Sequence, residues 1–146
     1  MSFWDSSALI PLLVREPASR LAAGLLRTHG APAVWWGSPV ECASALERRH
    51  RAGQLKYAEK RQSEQLLAQL ADAWTEVQPG RVLRERALRL LSSHELRAAD
   101  ALQLAAALIW AQEQPPGRTF ICLDERLREA ARRNGFLVLP EGGAGL

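Results

Sequence analysis

The chain is poor in the residues that build disulfides and zinc cages. Among 146 residues there are two cysteines and three histidines. Cys42 and Cys122 stand in apolar settings and read as buried thiols; they make neither a disulfide framework nor a zinc spacing. His29, His50 and His94 fall at loops or helix ends with no paired ligand spacing. Long apolar runs are also missing. The longest, "LQLAAALIWA", contains Gln103 and is far shorter than the roughly 18 residues of a membrane span. Asp5 interrupts the amino-terminal apolar stretch, so no secretory signal is read. A cytoplasmic protein with no membrane partner is the expectation. No internal repeat, low-complexity tract, P-loop, G-x-S-x-G elbow or G-x-G-x-x-G is present. Lysine is nearly absent as well: all but Lys56 and Lys60 of the 19 cations are arginine. Against 16 acids the net charge is +3 and the pI near 9.4. Arginine suits phosphate through its planar fork, but GC-rich coding gives the same bias, so this points only weakly to nucleic acid.

What is present is a regular alternation. The 47% hydrophobic content excludes a largely disordered chain, and the length fits one domain, set at residues 1–140, with a loose glycine-rich tail over 141–146. Short apolar strands are predicted at Phe3 to Asp5, "AVWW", "TEVQP", "TFICL" and "FLVLP". Helices are predicted between them: Ser7 to Val14, Ala18 to His29, "SPVECASALERRHRAG", Lys56 to Trp74, Val82 to Leu91, "LRAADALQLAAALIWAQEQ" and Asp124 to Asn134. Leu66, Leu67, Leu70 and Ala73 are expected on one face of the fourth helix, and the sixth is apolar enough to be central. Strands alternating with helices give an α/β fold, a parallel sheet covered by helices.

Four acids stand at helix starts. Asp5 follows the first strand, Glu41 lies in the first turn after the second, Asp124 follows "TFICL", and Asp100 is near the start of the apolar helix. In a parallel sheet these positions gather on the carboxyl edge, where ligands bind. Each has a local reading too. "SPVE" is a capping box with Ser38 as cap and Glu41 as its partner. Asp124 and Asp5 suit N-caps. Asp100 has apolar Leu104 and Ala107 at helical spacing and only Arg97 as a local cation, so a salt bridge and a metal ligand both stay open. Taken together, clustered carboxylates repel, and a hard divalent cation offsets that repulsion. All-oxygen donors suit magnesium or manganese, which fits phosphodiester hydrolysis.

"WDSSALIPLLVREP", "SPVECASAL", "LRAADALQLAAAL" and "FICLDERLREAARRNGFLVL" resemble, in order, the four motif regions of PIN-domain ribonucleases, and among them the toxins of VapBC-type toxin–antitoxin modules. The resemblance implies a Rossmann-like three-layer α/β/α sandwich with a central mostly parallel sheet. It implies that Asp5, Glu41, Asp100 and Asp124 hold Mg2+ or Mn2+ and that RNA is the substrate, cut by water activated at the metal. Ser7 falls at the polar position after the first acid and would support it. A small antitoxin partner and a homodimer are implied as well. Cys122 departs from the Thr or Ser that relatives often carry two residues before the last acid, and a thiol is the weaker donor. A weakly active or inactive domain that binds RNA or a protein is the alternative. A haloacid-dehalogenase-type phosphatase is disfavoured, because the second acid it needs would stand where Ser7 does. Of the aromatic pair in "AVWW", at least one is expected in the core, and core or interface is favoured over base stacking. The arginines of "ERRHRAG" and "RVLRERALR" read as solvated helix faces.

Overall fold

The structure, a computed structural model, describes residues 1–142. Five short strands are β1 (Phe3–Trp4), β2 (Ala33–Trp35), β3 (Thr75–Val77), β4 (Thr119–Ile121) and β5 (Leu137–Leu139). Seven helices are α1 (Ser6–Leu13), α2 (Ser19–His29), α3 (Ser38–Arg51), α4 (Tyr57–Ala73), α5 (Arg81–Ser93), α6 (Ala98–Trp110) and α7 (Glu125–Arg133). Every strand pair is parallel, and the sheet order is β3-β2-β1-β4-β5. The chain therefore lays strands outward from β1 in one direction, then returns to its other side as β4. The reversal between β1 and β4 is the switch point where open α/β sheets bind ligands, at the carboxyl ends of the strands.

Strand alternation divides the core into two layers. Phe3, Ala33, Trp35, Phe120 and Val138 pack against α5, α6 and α7 on one face. Trp4, Val34 and Ile121 pack against α1, α3 and α4 on the other. Helices thus cover both faces of the sheet, the three-layer α/β/α arrangement. Within α6, Ala101 and Gln103 to Leu108 are all buried, so it is the central helix its composition predicts. Trp110 at its far end stacks near Phe3 at the start of β1, with ring centroids 6.1 Å apart. The helix therefore runs antiparallel to the strands and begins at their carboxyl edge.

Two details differ from the sequence expectations. α6 ends at Trp110, not at Gln114, because Gln112 and Glu113 take left-handed backbone angles that turn the chain toward β4. On α4, Leu66 and Ala73 are exposed; the inward face is Ser63, Leu67, Leu70 and Ala71. Of the tail expected over 141–146, residues 143–146 lie outside the described residues. No helix among the described residues is long and apolar enough to cross a membrane.

Candidate active site

Asp5 is the last residue before α1, directly after the central strand, and only 3% exposed. Its backbone N–H bonds Ile121 O at 2.9 Å, extending the sheet to its carboxyl edge. The side chain caps α1 by accepting from the Ser7 backbone N–H at 3.1 Å. The capping role is real, but it uses one bond and leaves a buried carboxylate in an environment of like charge. Burial first, and the charges of Glu41 and Asp100 with it, raise the Asp5 carboxyl to about 6 against the hydroxyl and N–H of Ser7. Among the described residues Asp5 forms no ion pair.

Asp124 caps α7 in the same manner, accepting from Leu127 N–H at 2.9 Å, on the other side of the switch point. Asp100 stands in the first turn of α6, half-buried. Burial raises its carboxyl above the usual range, Asp124 and Glu41 add to that, and Arg97 opposes it. Asp100 makes no ion pair with Arg97 among the described residues. Glu41 is in the first turn of α3, but the capping box is not formed: Gly37 occupies the cap position and Ser38 is already helical. Instead the Gln103 side-chain N–H2 reaches across from α6 and donates to Glu41 Oε1 at 2.6 Å and to Ser38 Oγ at 3.1 Å. Gln103 is 1% exposed, and its own Oε1 has no hydrogen-bond partner. It was not singled out from the sequence as a site residue. The available signal was a lone amide, three residues past Asp100, in an otherwise apolar helix.

Ser7 and Cys122 link the two strand ends. Leu123 N–H donates to Ser7 Oγ at 2.9 Å, and the Ser7 hydroxyl donates to Cys122 Sγ at 3.6 Å. The Cys122 thiol is directed at Asp5 Oδ2 (3.6 Å) and at the Asp124 carbonyl (3.5 Å). Burial first, and the Asp5 charge next, push this thiol well above the usual range, so it is a donor and not a thiolate ligand. Cys42, one residue past Glu41, is pushed up to about 12 by burial and by Glu41 and Asp5. Both cysteines are free and buried.

The four acids thus act on one another electrostatically, yet they do not line one pocket. Asp100 and Asp124 share an open depression of about 540 Å³ with Arg97, Ala99, Glu125 and Arg126. Glu41 lines another of about 410 Å³ with Ser6, Ile10, Val40, Ser44 and Arg48. Asp5 lies buried and lines neither. Among the described residues, no three His, Cys, Asp or Glu side chains form a group that could, as placed, hold a metal ion. The donor set nevertheless suits a hard cation: four carboxylates, no imidazole, and thiols held protonated. Magnesium binds through one or two carboxylates and keeps several waters, so a closed cage is not required of the protein.

Over residues 3–133 the chain matches the PIN-domain family. It is 30% identical to Ribonuclease VapC45 of Mycobacterium tuberculosis strain CDC 1551 / Oshkosh, over 148 aligned residues covering 94% of each chain. It is equally similar, 30% over the same span and coverage, to Ribonuclease VapC49 of Mycobacterium tuberculosis strain ATCC 25618 / H37Rv.

Proposed function

Since this chain belongs to the PIN-domain family, we propose that it is a VapC-type ribonuclease, the toxin of a toxin–antitoxin pair, and that it hydrolyses RNA phosphodiester bonds with a divalent cation held by Asp5, Glu41, Asp100 and Asp124. The observation that carries the metal part is Asp5, a carboxylate buried at the switch point with Glu41 and Asp100 acting on it and no ion pair among the described residues. An ion there would supply positive charge, polarise the phosphate and activate water at neutral pH. The protein's part is orientation. The Ser7 N–H fixes one Asp5 oxygen, the Leu127 N–H fixes Asp124, and Gln103 fixes Glu41, so three of the four acids are held in orientation by the chain itself. Magnesium is favoured over a softer metal by the all-oxygen donors, with manganese as its substitute.

The test is cleavage of a panel of cellular RNAs by purified protein with magnesium, with manganese and with a chelator. Cleavage should need the ion and should be lost in Asp100→Asn, with the fold intact by circular dichroism. Equal cleavage by Asp100→Asn and parent, or equal cleavage in chelator, overturns the metal assignment.

The regulatory part of the reading is a small acidic or amphipathic antitoxin that covers the acids and places an arginine among them. Such an arginine competes with the metal for the same negative charge, so inhibition should weaken as magnesium rises. In growth assays, Asp5→Ala should remove the arrest that the parent causes when expressed alone; equal arrest from both would show that toxicity is not catalytic. A homodimer completes the reading, supported by Leu88 (59% exposed) and Leu91 (40%) on the outer face of α5. Light scattering at high micromolar concentration should give the mass of two chains; a single-chain mass overturns it.

A further inference from the structure

Trp36 follows the last residue of β2 and is 51% exposed. It is not on a loose loop. Its backbone N–H bonds Val77 O at 3.0 Å, so β2 continues beside β3 to the carboxyl edge. Its indole meets that of buried Trp35 edge to face, with centroids 6.2 Å apart and planes at 68°. The next residue must be glycine: a Cβ on Gly37 would stand 2.5 Å from Trp35 Nε1. The sequence "WWG" therefore builds an exposed ring braced by a buried one.

The bracing ring, Trp35, lines a depression of about 410 Å³ with Gly80, Leu83, Leu102, Arg81 and Arg84. Arg81 and Arg84 lie exposed at the start of α5 and enter none of the ion pairs formed among the described residues. α5 begins four residues after β3 ends, so both arginines lie toward the carboxyl edge where the acids stand. Trp36 stands at the carboxyl end of β2, two residues before α3, whose first turn carries Glu41. An aromatic face and two guanidinium groups outside the described ion pairs thus share the carboxyl edge with a set of carboxylates that would itself repel a polyanion.

We propose that Trp36 is a base-stacking residue: its indole takes an unpaired base of the RNA next to the site, while Arg81 and Arg84 hold the neighbouring phosphates. This rests on the ribonuclease reading and adds to it the contact that binds a base. An indole offers its π-face to any base that is free of its own stack, and planar guanidinium groups match phosphate oxygens.

The test is equilibrium binding of a short unpaired RNA, and of a base-free ribose-phosphate strand of equal length, to the non-cleaving Asp100→Asn protein in magnesium. Trp36→Ala should weaken RNA binding by roughly tenfold to a hundredfold, the range seen for one lost stacking contact. It should also erase the preference for RNA over the base-free strand, and Trp36→Phe should restore most of it. Arg84→Ala should weaken both strands alike and lower the salt dependence by about one counterion. An unchanged RNA preference in Trp36→Ala overturns the proposal. So does a Trp36→Ala protein that binds RNA normally but no longer self-associates, which would give this face to a second copy of the chain. Cleavage by the parent is read separately: if it binds RNA through Trp36 but never cuts it, the nuclease reading fails and the stacking contact stands.

Discussion

Two opposite charges are buried on either side of Cys122, and they do not neutralise each other. Arg128 of α7 is 1% exposed; Asp5 is 3% exposed. Arg128 donates to the carbonyls of Cys122 at 2.8 Å and Pro140 at 2.7 Å, and its Nε stands 3.7 Å from Glu125 Oε1. Those bonds tie α7 to the end of β4 and to the chain beyond β5. Asp5 has the N–H and hydroxyl of Ser7 and a distant thiol, with other carboxylates acting on it. Burying a charge is costly unless directed bonds compensate it. The protein compensates the cation with its own carbonyls, while the anion has weaker partners and no ion pair among the described residues. The first charge holds the fold together; the second is available for something that arrives from solution.

The sharpest way to break this contrast is to neutralise each charge in turn. Asp5→Asn should cut magnesium-dependent RNA cleavage by at least about a hundredfold, on the order of 3 kcal/mol of transition-state stabilisation, without unfolding the protein. Arg128→Met should do the opposite. It leaves the Cys122 and Pro140 carbonyls buried without their donor, and stability in urea should fall by about 4 kcal/mol. If Arg128→Met is as stable as the parent, the buried cation is no clamp and the contrast collapses.

The buried anion also has a pH signature. The folded Asp5 carboxyl is raised from an ordinary 3.8 to about 6. The folded state therefore binds a proton more tightly than the unfolded chain between these values. Its contribution to stability is fully present below about pH 4 and is lost as pH rises through about 6, a difference of about 3 kcal/mol. Metal-free parent protein should lose stability across that window in chelator, and Asp5→Asn should lose less and exceed the parent at neutral pH. Magnesium should raise the parent's melting temperature at neutral pH and leave Asp5→Asn nearly unmoved. A parent stability that climbs from pH 4 to 6 would contradict the assignment of an unpaired Asp5.

Gln103 supplies a smaller test, on the α3 side of the cluster. Gln103→Leu keeps the volume and removes the donor that turns Glu41. Magnesium affinity, by titration of cleavage rate, should fall by about tenfold, the lower end of what lost support of a metal ligand costs. An unchanged midpoint would remove Glu41 from the ligand set.

How far these features were legible depends on how local they are. The strand–helix alternation was readable because each strand is a short apolar run and Gly or Pro punctuates most joins. The placement of Asp5, Glu41 and Asp124 at the carboxyl edge followed from that alternation alone. Long-range contacts were not legible. "SPVE" satisfies the capping-box pattern, yet Glu41 is taken by an amide from a helix 62 residues on. "AQEQ" is good helix-forming sequence, and α6 stops before it because the chain must turn back into β4. Arg128 sits among surface charges in "ERLREAARR" and reads as solvated; only the packing of α7 over the end of β4 shows it buried. The shared edge of the acids was predictable; which side chains line the depressions described, Asp100 with Asp124 in one and Glu41 in another, depends on packing that the sequence does not show.

Cys122 is the residue that stands between the two buried charges, and it gives the finest test of how Asp5 is held. Its carbonyl serves Arg128 while its thiol serves Asp5. At 3.6 Å the thiol is a weak donor, whereas a hydroxyl prefers a shorter and stronger bond to a carboxylate. Cys122→Ser leaves the backbone carbonyl in place, so the Arg128 clamp should survive. The new hydroxyl favours the charged form of Asp5, which lowers its carboxyl from about 6 toward the ordinary range. The acidic limb of the pH–rate profile should then move to lower pH, and the rate below neutrality should rise by roughly twofold to fivefold. At pH 8, where Asp5 is ionised in both proteins, the two rates should converge. A shift of the limb to higher pH would mean that the thiol, and not the hydroxyl, is the better partner for Asp5. An unmoved limb would mean that Cys122 does not act on Asp5, and that Ser7 alone joins the two strand ends at the site.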